Sequence, residues 1–80
     1  MERRVSSVVA QVIVESTGQE LALTAEDPLI STGILDSLSM VSLVIALQSE
    51  FGVQLEVTDL NVENFESIRS ISNLVQLRCA

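Results

Sequence analysis

Three stretches of this chain carry apolar residues at helical spacing, and that periodicity most limits what it can fold into. In residues 5–13, Val5, Val8, Val9, Val12 and Ile13 follow the i, i+3, i+4, i+7, i+8 rule of an amphipathic helix. Valine favours strands. A strand here, however, would put Val8, Ala10, Val12 and Val14 on one face and leave the other face mostly apolar too. Gly18 supplies a natural stop. The helical period returns from Ser37 to Phe51, with Val41, Val44, Leu47 and Phe51 as one stripe, Leu43 beside it and Gly52 as terminator. Thr58 and Asp59 start a short turn through Leu60 and Asn61. Ser67 then caps a last helix whose inner face is Ile68, Ile71, Leu74 and Val75. The expected fold class is all-α: a small helical bundle of three main helices plus one short helix, with a long loop between the first two main helices.

That loop, residues 18–36, shows no sustained period and holds Gly18, Pro28, Gly33 and the acidic pair Glu26 and Asp27. A connection this long in a small domain is commonly functional. Leu21, Leu23, Leu29 and Ile30 are expected to pin it to the core. With 80 residues the chain is read as one domain, residues 1–80. Its aromatics are only Phe51 and Phe65, so the core must be aliphatic.

Charge and chemistry then exclude several functions. Eleven acidic residues against four basic ones give a net charge of -7, and lysine is absent. Such a surface repels nucleic acid and anionic membranes and favours basic partners, while also keeping an apolar chain in solution. Cys79 is the single cysteine, so no internal disulfide and no zinc cluster form, which suits a reducing, cytoplasmic setting. No metal ligands are expected. The apolar run from Leu38 to Leu47 is too short to span a bilayer. The opening "MERRVSSVVAQVIV" mimics a signal peptide but is read as part of the first helix, because removing it would strip a small core.

One residue stands out. In "TGILDSLSMVSL", Ser37 lies between Asp36 and Leu38, just after Ile34 and Leu35. A polar residue before an apolar helix is ordinarily an N-cap, and Asp36 can fill that role with a charge that suits the helix dipole. As a nucleophile, Ser37 would need a base, and the chain has neither histidine nor lysine. Glu26 and Asp27 are more simply read as solvated surface. An autonomous enzyme is therefore not expected. A third role needs no activation: Ser37 as an attachment point, where a phosphate ester would meet the positive end of the helix.

"LDSL" followed by "SMVSLVIALQSEFGV" resembles the acyl carrier protein superfamily, including peptidyl and aminoacyl carriers. The resemblance spans nearly the whole chain: a first amphipathic helix, a loop with "DPL", the motif, an aliphatic helix ending in "EFG" and a final "SIRSISNLV" helix. It implies that Ser37 carries 4'-phosphopantetheine, covalently attached from coenzyme A. Asp36 would orient a phosphopantetheinyl transferase and its metal. Leu38, Met40, Val41 and Ile45 would contact partners, Val41 being the more core-like of these and Ile45 the less. Implied partners are that transferase, an acyl or aminoacyl ligase or transferase, and downstream biosynthetic enzymes, all serving a monomeric carrier. Fatty-acid carriers place glycine as "G-x-D-S-L"; here it is "GILDSL", which together with "TDLNVENFESI" looks more like stand-alone D-alanyl or aminoacyl carriers, and the resemblance leaves a D-alanyl or peptidyl carrier protein as the alternative. The outer face of the second helix reads Ser39, Ser42, Gln48 and Ser49, with Glu50 its one acid. Partners that dock basic residues on that helix are therefore expected to bind poorly. The alternative of another class is a non-catalytic helical interaction domain in which Ser37 is only a cap.

Overall fold

The computed structural model describes residues 2–18 and 23–79. Its helices are α1 (Glu2–Thr17), α2 (Ser37–Phe51), α3 (Val62–Phe65) and α4 (Ile68–Cys79), with a 3-10 turn at Val57–Asp59. The all-α bundle expected from the periodicity is present, three long helices and one short one. α1 packs on both α2 and α4, and α3 packs on α4.

Each boundary has a local cause. In α1, Val5, Val9, Val12 and Ile13 are buried, the spacing that defined the helix. α2 ends because Gly52 takes φ 65°, a left-handed conformation open to glycine, and its N–H returns to the Gln48 carbonyl at 3.0 Å. Ser67 caps α4 as expected, its Oγ accepting the Ser70 N–H at 3.1 Å. Ile68, Ile71, Leu74 and Val75 face inward. Phe65 is the fully buried aromatic of an otherwise aliphatic core. Phe51 lies half-buried, with the Arg4 guanidinium 4.6 Å from its ring centroid.

The long loop is fastened as well as covered. Leu29 is fully buried, worth about 1.5–3 kcal/mol for a leucine side chain. Its N–H donates to the Glu66 carbonyl at 2.6 Å, and the Leu35 N–H donates back to the Leu29 carbonyl at 2.9 Å. Further upstream the Ala25 carbonyl accepts the Arg69 N–H at 3.0 Å. Leu23 and Ile30 pack partly against the core; Leu21 lies outside the described residues.

Two expectations need correction. The buried side of α2 is Ser39, Leu43 and Leu47, not a stripe through Val41, which is 57% exposed. The helix is apolar on nearly every side from Leu38 to Leu47, so its period leaves two candidate inner faces. Packing against α1 and α4 selects the one through Leu43 and Leu47. The turn after Gly52 is also divided. Asp59 closes the first part by accepting the Glu56 N–H at 3.0 Å, and Asn61 starts α3 separately by accepting the Asn64 N–H at 2.9 Å.

Candidate functional site

The start of α2 separates the two roles that the sequence offered for Ser37. Asp36 has extended backbone, φ -102° and ψ -174°, and its Oδ1 accepts the Ser39 N–H at 2.8 Å. Its carbonyl takes the first helical bond, from the Met40 N–H at 2.8 Å. Asp36 is therefore the cap. Ser37 is the first helical residue, it is exposed, and its hydroxyl has no protein partner among the described residues.

The Ser39 backbone N–H, helped by the Ser39 side chain, holds the Asp36 carboxyl below the ordinary aspartate value of 3.8. A carboxylate stabilised in this way is a weaker base than an ordinary one, and it would not activate the neighbouring hydroxyl. The local chemistry thus supplies a presented hydroxyl at the positive end of a helix, with no means of self-activation. That arrangement fits a phosphate ester installed by another protein.

Buried contacts fix this end of the helix. Leu35, just before the cap, is almost fully buried. Ser39 is only 2% exposed, and its Oγ shares a 2.7 Å hydrogen bond with Ser16 Oγ on α1. Ser39 is therefore not on the outer face, as its spacing suggested. Gln48 is not fully outward either: its Oε1 accepts the Leu55 N–H at 3.0 Å and straps the following segment to α2. Ser42 and Ser49 are exposed as expected. Leu38, Val41 and Ile45 form an exposed ridge, at 80%, 57% and 61%, and Met40 is half-buried. The Ser16–Ser39 bond had no signal in the sequence, since both residues read as polar surface.

Elsewhere the charged groups are mostly paired. Asp59 is buried and receives both Arg78 Nε at 2.9 Å and Nη2 at 2.6 Å. Those bonds hold the Asp59 carboxyl below its ordinary range and raise Arg78 above its own. Glu26, read as solvated surface, is exposed and pairs with Arg69, while Asp27 accepts the Thr24 N–H at 2.8 Å. Among the described residues no cluster of side chains suits a metal ion, and no helix is long and apolar enough to cross a membrane.

With this geometry in place, the chain can be set beside known proteins. Residues 7–77 match the family described as phosphopantetheine attachment site. The chain belongs to the acyl carrier protein superfamily. It is 30% identical over 76 residues to an acyl carrier protein of Buchnera aphidicola subsp. Baizongia pistaciae (strain Bp), covering 95% of this chain and 91% of that one. It is also 30% identical over 76 residues to an acyl carrier protein of Thermobifida fusca (strain YX), covering 94% of each.

Two solved structures share the fold. One is a Bradyrhizobium japonicum glycine:[carrier protein] ligase complexed with its cognate carrier protein and an analogue of glycyl adenylate, with TM-score 0.78, 22% identity and 95% of each chain covered. The other is the same ligase complexed with glycylated carrier protein, with TM-score 0.76, 23% identity and 91% and 95% covered. The protein is thus a carrier and not an enzyme, and its cofactor is a covalently bound 4'-phosphopantetheine. Membership sets aside the alternative of a plain helical interaction domain.

Proposed function

We propose that residues 1–80 form one carrier domain and that Ser37 bears the phosphopantetheine, holding aminoacyl or acyl groups for the enzymes of a specialised biosynthetic pathway. The observation that carries this reading is the division of labour at the start of α2: Asp36 alone caps the helix, and the Ser37 hydroxyl is left exposed and unengaged. When bound, the cofactor supplies a terminal thiol that holds cargo as a thioester. The chain's own residues present and orient it. Asp36 and the Ser16–Ser39 bond fix the helix end, and Leu38, Val41 and Ile45 offer apolar contact beside the attachment point, with Met40 half-buried and packed against the core.

The partners are a phosphopantetheinyl transferase, a ligase that loads the thiol and the enzymes that take the cargo onward, acting on a cytoplasmic monomer. Between the two cargo classes, the "GILDSL" spacing and the fold shared with carriers of a glycine ligase favour aminoacyl groups over fatty acyl or polyketide ones. A D-alanyl or peptidyl carrier is the nearest variant of this reading.

Intact mass after incubation with coenzyme A and a broad-specificity transferase tests the site. The wild type should gain one arm. Ser37→Ala should gain none and keep its melting temperature within a few degrees, because its hydroxyl makes no bond among the described residues. An arm on the Ser37→Ala protein would overturn the assignment. Loading the armed chain with amino acids, malonyl groups and fatty acids in parallel then separates the cargo classes.

A further inference from the structure

A groove of about 370 Å³ runs between α1 and α2, lined by Val12, Glu15 and Ser16 on one side and Ser42, Ile45, Ala46 and Ser49 on the other. It begins at the Ser16–Ser39 bond, two residues past Ser37, and lies beside the exposed ridge of Leu38, Val41 and Ile45. Its floor is apolar, its walls carry hydroxyls, and its one charged group is Glu15. Among the described residues Glu15 makes no ion pair or hydrogen bond. A smaller cavity of about 110 Å³ continues the groove past Val8 and Gln11 to Glu50, and that second carboxylate is already faced by Arg4 at 3.8 Å.

We propose that this groove receives a long cationic side chain, arginine or lysine, from an enzyme that works at Ser37. The inference rests on the carrier reading above and names how such a partner is recognised. The groove's chemistry specifies the occupant. An alkyl stem would lie on Val12, Ile45 and Ala46, the charged head would meet Glu15, and the flanking hydroxyls would accept its remaining N–H groups. Complementarity is one-sided, because no cation among the described residues is paired with Glu15. A partner that covers the Leu38–Ile45 ridge to reach Ser37 lies directly beside the groove. The one exposed acid of α2, Glu50, is already faced by Arg4, so the unpaired carboxylate beside the ridge is supplied across the groove by α1.

The test titrates n-butylguanidinium, with uncharged n-butylurea as control, into the isotope-labelled full chain and follows backbone amide shifts by NMR. The expected result is a saturable response to the guanidinium confined to residues 12–16 and 42–49. Its affinity should fall at least threefold in Glu15→Gln and in Ser42→Leu, which narrows the groove from an exposed rim. Glu63→Gln should leave it unchanged. An equal response to the urea, an affinity unmoved by Glu15→Gln, or shifts centred on Glu63 or Asp27 would overturn the proposal. The same samples, treated with coenzyme A and the transferase, keep the two claims apart. A chain that takes the arm on Ser37 but shows no cation site overturns only this inference. A chain that binds the cation but takes no arm overturns only the carrier site.

Discussion

Asp36 and Asp59 each accept a backbone N–H three residues away, and there the likeness ends. Asp36 is exposed, accepts the Ser39 N–H at 2.8 Å, and among the described residues makes no ion pair. Asp59 is buried, closes a turn by accepting the Glu56 N–H, and is gripped from α4 by two Arg78 bonds. One aspartate starts the helix that presents Ser37; the other locks the segment after α2 to the last helix. The contrast shows where a chain with four basic residues and eleven acidic ones places its cations. Arg4, Arg69 and Arg78 all pair with acids away from the start of α2. Among the described residues no cation is paired with an acid at the start of α2.

The largest expected effect comes from breaking the clamp. Asp59→Asn keeps the size of the side chain but removes the charge that Arg78 holds, and it should lower the melting temperature by about 5 °C or more. Asp36→Asn keeps a good N-cap and should move it by less than about 2 °C. The acid limb of the stability curve sharpens the same contrast. The folded Asp59 carboxyl lies below its ordinary 3.8, so the unfolded chain binds the proton more readily. The clamp's contribution is therefore complete at neutral pH and is lost as the pH falls below 3.8 and through the depressed folded value. Thermal melts from pH 6 down to pH 2.5 should show a shallower acid decline in Asp59→Asn than in wild type. Equal losses in the two aspartate variants would dissolve the distinction between cap and clamp.

A smaller effect is expected at the site end. Ser39→Ala removes the buried partner of Ser16, and a net hydrogen bond of this kind is worth about 0.5–1.5 kcal/mol. Ser16 is itself exposed and can turn to water, which places the loss towards the lower figure. Arm addition should still go to completion, since Asp36 continues to cap through the Ser39 backbone. An unchanged melting temperature would show that the hydroxyl pair adds no measurable stability, leaving Asp36 and apolar packing to fix this end of α2.

How much of this was readable from the residues depended on whether one side chain or two carried the signal. Caps and stops are local. Asp36, Gly52 and Ser67 announce their roles by type and position, and all three fill them. The core faces of α1 and α4 were equally legible, because polar residues flank a single apolar stripe. α2 was not, because a helix apolar on most sides offers two inner faces and only its neighbours choose between Val41 and Leu43. Pairings between elements were hidden for the same reason. Ser16 with Ser39 and Asp59 with Arg78 lie 23 and 19 residues apart, and neither partner is unusual for a surface. Gln48 belongs with them, read as outer face yet held to Leu55. Ser37 could be proposed as the attachment residue because its motif is contiguous, whereas Glu15 came into view only once α1 lay against α2.

The smallest expected effect is the response to salt, which weighs the clamp against the rest of the charge. With a net charge of -7 the folded chain repels itself, most where Glu26 adjoins Asp27 and where Glu56, Glu63 and Glu66 crowd one short segment. Raising sodium chloride from about 10 mM to 150 mM shortens the screening length from about 30 Å to about 8 Å. That reaches the spaced acids but does little to a 2.6 Å contact sheltered by a side chain only 9% exposed. The exposed pairs Arg4–Glu50 and Arg69–Glu2 are weakened too, but such pairs contribute little to begin with. Repulsion should therefore lose more than attraction, and the melting temperature should rise by about 1 °C, by similar amounts in wild type and Asp59→Asn. A fall in the wild type that disappears in Asp59→Asn would mean that the Arg78 clamp, rather than the chain's excess of acid, dominates its electrostatics.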